Sequence, residues 1–164
     1  MISLRPAGPK DVGLIWSFIR ELADYERLSH EAQATQADLA AALFCEHPKA
    51  FCDLAEWDGE PAGFALWFYT FSTFKGRHGL YLEDLYVRPE HRGQGVGRAL
   101  LTRLARRCAA EGLGRLEWAV LNWNAPSIAF YERLGARPMA DWTVYRLTGD
   151  ALDTLGAEEE PCSS

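Results

Sequence analysis

Three stretches of the chain carry residue types that can do chemistry. The first is Val87-Arg88-Pro89-Glu90-His91-Arg92-Gly93-Gln94-Gly95-Val96-Gly97-Arg98, with three alternate glycines between an apolar run and a helical pattern. Unpaired amides at a helix start carry about half a positive charge, and glycines let a ligand approach the backbone. Such a turn suits a phosphate or pyrophosphate, with Arg92 and Arg98 adding charge. A tight, Gly-rich helix cap is the competing reading. Two common phosphate motifs do not fit: no Lys-Ser or Lys-Thr pair completes a P-loop, and Arg98 stands where a dinucleotide fingerprint needs a small residue. The second stretch is Leu82-Glu83-Asp84-Leu85. A carboxylate can hold an ammonium and take its proton, but strand neighbours face opposite sides, so at most one of the pair points into a given cleft. The third is Phe130-Tyr131, whose phenol can give a proton to a departing anion or can simply be a core hydroxyl with a partner. His78 and His91 stand alone in loops, and no Ser/His/Asp arrangement is visible.

The elements that must position these residues follow from periodicity. Residues 2–5 read as a short strand. Asp11 to about Leu28 reads as a helix through Leu14, Ile15, Phe18, Ile19, Leu22 and Tyr25. Thr35, with Asp38 three residues on, caps a short helix to about Phe44. Phe51–Trp57 and Pro61–Phe71 read as strands joined by a type I′ turn at Asp58-Gly59. Residues 72–79 form a loop, and Leu80–Val87 is the next strand. Gly97 to about Glu111 is a helix stopped by Gly112 and Gly114. Leu116–Leu121 is a strand. Asn124 caps a helix with Pro126 in its first turn, ended by Gly135. Thr143–Leu147 is a last strand, and an acidic tail from about Thr148 frays. The order β α α β β β α β α β makes a mixed α/β layer protein. One domain over 1–148 and a tail over 149–164 are expected.

The 164 residues suffice for one core, and 48% apolar with 24% charged residues excludes disorder and fibre. No apolar run reaches a membrane span and no secretory signal is visible at the start, so a cytoplasmic protein is expected. The net charge is −6, yet residues 88–107 hold six arginines and residues 21–60 ten acids. That pattern is unlike a general nucleic-acid binder and allows an anionic ligand at one place and a cationic one at another. Cys45, Cys52, Cys108 and Cys162 show no CxxC spacing and the histidines do not join them, so no metal site is expected.

Arg92-x-x-Gly95-x-Gly97, between a strand and a helix, resembles the acetyl-CoA-binding motif of the GNAT acetyltransferases. Asn122-Trp123-Asn124-Ala125-Pro126-Ser127-Ile128-Ala129-Phe130-Tyr131-Glu132-Arg133-Leu134-Gly135 resembles a second segment near the end of those domains. Glu21-Leu22-Ala23-Asp24-Tyr25-Glu26, Phe71-Ser72-Thr73-Phe74-Lys75-Gly76-Arg77 and Tyr81-Leu82-Glu83-Asp84-Leu85-Tyr86-Val87 resemble the diamine acetyltransferase group, which holds the spermidine/spermine and thialysine enzymes. The loop is closer to the thialysine branch, which has Trp in place of Phe74. The polyamine branch has an Asp and a Trp where Ser72 and Phe74 stand.

The resemblance implies a mostly antiparallel sheet flanked by helices, with a parallel strand pair splayed at the cofactor site. It implies acetyl-CoA as co-substrate, held by Leu85, Tyr86 and Val87, by Arg92, Gly93, Gln94, Gly95, Val96, Gly97 and Arg98, and by Asn124, Ala125, Pro126 and Ser127. Helix capping by Asn124 is compatible with that role. Glu83 would bind the amine, either as a binding residue alone or also as its base. Tyr131 would be the general acid. Tyr25, Glu26, Glu117, Trp118 and Ala119 would line the acceptor site. The implied protein is an N-acetyltransferase, homodimeric, acting on a small cationic amine of thialysine, lysine or diamine type by direct attack in a ternary complex. A peptide acceptor, or a non-catalytic acetyl-CoA-binding protein, is the alternative.

Overall fold

A computed structural model describes residues 1–158. Its contacts divide into two compact units, one over 1–121 and one beginning at 122. The first holds β1 (Ile2–Pro6), α1 (Val12–Glu26), α2 (Gln36–Leu43), β2 (Phe51–Trp57), β3 (Glu60–Ser72), β4 (Arg77–Val87), α3 (Val96–Glu111) and β5 (Leu116–Trp118). The strands form one sheet in the order β1-β2-β3-β4-β5, antiparallel except for the parallel pair β4·β5. Ile15, Phe18 and Leu22 of α1 and Leu39 and Leu43 of α2 bury against Leu54, Phe64, Leu66 and Tyr86 of the sheet. Leu100, Leu101 and Leu104 of α3 are also buried. The apolar positions of both long helices thus recur at the helical period.

Local signals act as their chemistry dictates. Thr35 and Asp38 form a reciprocal capping box, Asp38 N–H donating to Thr35 Oγ1 at 3.2 Å and Thr35 N–H to Asp38 Oδ2 at 2.9 Å. Asp58 and Gly59 both have positive φ, 52° and 88°, as a type I′ turn requires. α1 stops at Glu26 because Arg27 adopts the left-handed conformation and its N–H folds back to the carbonyls of Ala23 and Asp24. The expected loop over 72–79 shrinks, since Ser72 still pairs with Arg77.

The second unit holds α4 (Ala125–Arg133) and α5 (Gly149–Gly156). Two expectations are corrected here. Residues 143–147 form no strand among the described residues, and Val144 and Tyr145 are 88% and 92% exposed. β-propensity alone makes no strand without a hydrogen-bonded neighbour. Where a fraying tail is expected, α5 forms behind an extended N-cap, Thr148, with Asp150 in its first turn. Cys162, Glu159 and Glu160 lie outside the described residues. β5 also ends at Trp118 rather than at Leu121.

Candidate active site

The Gly-rich turn links the buried end of β4 to α3. Gly93 and Gly95 have φ of 74° and 90°, and Gly95 is the N-cap of α3 with no side chain capping the helix. Its first internal bond is Ala99 N–H to Gly95 O, at 2.9 Å. The amides of Val96, Gly97 and Arg98 therefore keep the unpaired donors of a helix start. A Cβ built on Gly93 would meet nothing within 4 Å, and on Gly95 only Ile2 Cδ1 at 3.9 Å. The space over these amides is open to a ligand, and this donor set fits a pyrophosphate.

The turn is fixed from below. Arg88 donates Nη2 and Nε to the two carboxylate oxygens of Glu21 at 2.8 and 3.1 Å, lies 4.8 Å over the Phe18 ring, and donates its amide to Ala62 O. The Arg88 guanidinium holds the Glu21 carboxyl below its ordinary range. Arg92 donates Nε to Val87 O at 2.8 Å and stacks over Tyr25 at 4.7 Å and Tyr86 at 5.6 Å. Gln94 closes the turn by donating Nε2 to Glu90 O at 2.9 Å. Tyr86 and Val96 put their side chains in the core, which leaves only their backbones for a ligand.

β4 carries a β-bulge at the carboxylates. Leu66 pairs with Asp84 and Trp67 with Leu82, so Glu83 is the extra residue. A bulge breaks strict alternation and re-aims a side chain. Glu83 is exposed and Asp84 half-buried. Burial first, then the charges of Glu83 and Glu26, pushes the Asp84 carboxyl up to about 7. Burial also raises Glu26 at the end of α1. Three acids thus share one field, beside Tyr25 on the same helix turn. Asp84 is the residue that sequence reasoning passed over: strand alternation offered a choice between neighbours, and a bulge has no sequence signal.

β4 and β5 pair only from Leu80–Leu116 to Leu82–Trp118. From Glu83 to Val87 the β4 edge facing β5 has no strand partner among the described residues. Leu85 and Val87 lie on this stretch. Glu117 is paired with Arg115 Nε at 2.7 Å, and its charge, with that of Glu83, acts on the Tyr81 phenol, whose raised pKa owes most to burial. Ala119 follows the end of β5. In the second unit, Asn124 is 4% exposed and caps α4, its Oδ1 accepting from Ser127 N–H at 3.3 Å. Ala125 and Pro126 begin that helix, and the half-buried Tyr131 lies on it with its ring 5.4 Å from Phe130. Burial pushes the Cys52 and Cys108 thiols up, which leaves them poor nucleophiles.

A sheet that is antiparallel but for one parallel pair, with an uncapped, Gly-rich helix start following β4, is the architecture of the acetyltransferase class. The chain belongs to the acetyltransferase (GNAT) family, whose profile matches residues 15–136, and is an N-acetyltransferase. It is 37% identical to the thialysine N-epsilon-acetyltransferase of Bos taurus, over 96% of this chain and 98% of that one. It is 32% identical to the L-ornithine N5-acetyltransferase of Arabidopsis thaliana, over 93% and 86% respectively. Among solved structures, an integron cassette protein from the mobile metagenome of V. cholerae superposes with a TM-score of 0.79 at 28% identity, over 96% of this chain and 98% of that one.

Proposed function

We propose that the protein transfers the acetyl group of acetyl-CoA to a primary amine of a small cationic substrate of thialysine, lysine or diamine type. The carrying observation is the acidic group Glu83, Asp84 and Glu26 beside an open strand edge and a Gly-rich helix start. A cationic amine and an anionic carrier are wanted at such a pair of places. The named relatives act on thialysine and on ornithine, both amines of amino acids.

Acetyl-CoA supplies the acetyl thioester. The amides of Gly95 to Arg98 hold its pyrophosphate, with Arg92 and Arg98 adding charge. Leu85 and Val87 offer backbone groups along the unpaired β4 edge. By the family resemblance, Asn124, Ala125, Pro126 and Ser127 contact the same co-substrate. A lysine-like ammonium has a pKa of about 10.4, so only about one in a thousand is neutral at pH 7.4. Glu83 and Glu26 attract the cation, and a carboxylate of the group accepts its proton. Asp84, held near 7, matches that task better than an ordinary carboxylate. The neutral nitrogen forms the new C–N bond as the C–S bond breaks; by the family resemblance Tyr131 gives its phenolic proton to the departing thiolate, and the proton then shed by the new amide nitrogen restores the phenol. Tyr25, Glu117, Trp118 and Ala119 shape the acceptor site.

One domain over 1–148 carries this activity, in the cytoplasm and as a homodimer. Among the described residues no helix is long and apolar enough to cross a membrane. Exposed Trp142, Val144 and Tyr145 supply apolar surface of the kind interfaces use. A thiol-release assay with acetyl-CoA over lysine, thialysine, ornithine, spermidine and a lysine peptide tests the reading. Turnover of the small amino-acid amines above the others supports it, and turnover of the peptide alone overturns it.

A further inference from the structure

One flank of α3 borders a pocket of about 430 Å³ that plays no part in the reaction above. Arg103, Arg106 and Arg107 line it, over Leu4 of β1 and Ala99, with Glu111 at one end. Arg106 stands about 16 Å along the helix axis from Gly95, at 1.5 Å rise per residue. The three guanidiniums are held in different ways. Arg103 donates Nε to Asp53 Oδ1 at 2.7 Å, and Asp53, only 2% exposed, takes Trp67 Nε1–H on its other oxygen at 2.9 Å. Arg107 lies 4.8 Å over the Trp67 ring and donates Nη1 to Glu111 at 2.9 Å. Its Nε is buried without a hydrogen-bond acceptor among the described residues. Arg106 is exposed and has no hydrogen bond or ion pair among the described residues.

Two guanidiniums held by their neighbours and a third left free make a preorganised receptor for oxyanions, which guanidinium forks bind in parallel hydrogen bonds. Glu111 on the wall and Asp53 beneath offset two of the three charges, and the remainder is positive. The whole chain carries −6, so the positive field is local. It suits a small anion and repels a polyanionic polymer. We propose that this pocket is a second, non-catalytic binding site for a small, multiply charged oxyanion. A phosphate compound and a polycarboxylate share that chemistry.

The test is calorimetric titration of inorganic pyrophosphate and of citrate into the full chain, with acetyl-CoA saturating so that the Gly-rich turn is filled. At least one anion is expected to bind at a single site with Kd below about 1 mM. Arg106→Gln should weaken it by roughly tenfold, the loss of one charged hydrogen bond, and Arg106→Lys by less. Acetyl transfer by Arg106→Gln should match wild type. The anion that binds names the source. No binding of either up to about 10 mM, wild-type binding by Arg106→Gln, or competition between the anion and acetyl-CoA would overturn the proposal. A wild-type chain that binds the anion and transfers no acetyl group refutes the catalytic reading and leaves this one standing.

Discussion

Asp84 connects burial to pH dependence. In the unfolded chain its carboxyl titrates near 3.8, and in the fold at about 7. The folded state therefore binds more protons between those values, and stability falls by roughly 1.4 kcal/mol per pH unit from this group as pH rises through them. Below the lower value and above the upper one the group adds no slope. Asp84→Asn should remove this slope and raise Tm at pH 8, checked by thermal melts from pH 4 to 8. In the proposed reaction, kcat/KM of wild type should rise with pH through about 7, and the limb should vanish in Asp84→Asn. A limb that survives in Asp84→Asn but is lost in Glu83→Gln would return the base to Glu83. Tyr131→Phe removes one oxygen and almost no volume. We expect kcat to fall roughly 10²–10⁴-fold, with acetyl-CoA affinity nearly intact, in steady-state kinetics and calorimetry. Full turnover by a stable Tyr131→Phe protein would make this tyrosine a packing residue.

At the scale of elements, the turn and the bulge both depend on how closely backbones can approach. A Cβ on Gly63 of β3, which pairs with Val87, would lie 2.4 Å from Tyr86 O. Gly63→Ala must push β3 from β4, and about 1–3 kcal/mol of stability should be lost in urea denaturation. Gly95 differs, since its surroundings are open and its φ is 90°. Gly95→Asp strains the backbone and sets a negative charge on the helix start. Acetyl-CoA at 100 times its Kd should stabilise wild type by about 2.7 kcal/mol and leave Gly95→Asp unshifted in a thermal melt. A folded Gly95→Asp protein with the full shift would place the cofactor elsewhere.

At the scale of the molecule, the sheet separates two chemistries. Arg88, Glu21 and Phe18 brace the start of the turn on the α1 side, while Asp53, Trp67 and Arg103 form a buried polar network beside α3. The proposed dimer would draw on the exposed apolar residues of 139–147. Light scattering on a size-exclusion column should report a dimer, and Tyr145→Lys should shift it toward monomer. A wild-type monomer at micromolar concentration would refute the dimer.

The amino-acid sequence by itself determined the elements that rest on local physics. Helix periods, the Thr35–Asp38 box, the Asp58-Gly59 turn and the Gly93–Gly97 helix start need only neighbours within a few residues, and their residue types state those interactions. It also marked the carboxylates and Tyr131 as candidates, through spacing and resemblance. Tertiary structure alone decided which carboxylate titrates near neutrality. That depends on an extra residue in β4 and on α1 bringing Glu26 into the same field, across nearly sixty positions of chain. It alone ended the β4·β5 pairing at Leu82, left 143–147 without a strand partner among the described residues, and gathered Asp53, Trp67 and Arg103 into one network. Pairing, burial and electrostatic fields are properties of distant segments meeting in space, and no local pattern encodes them.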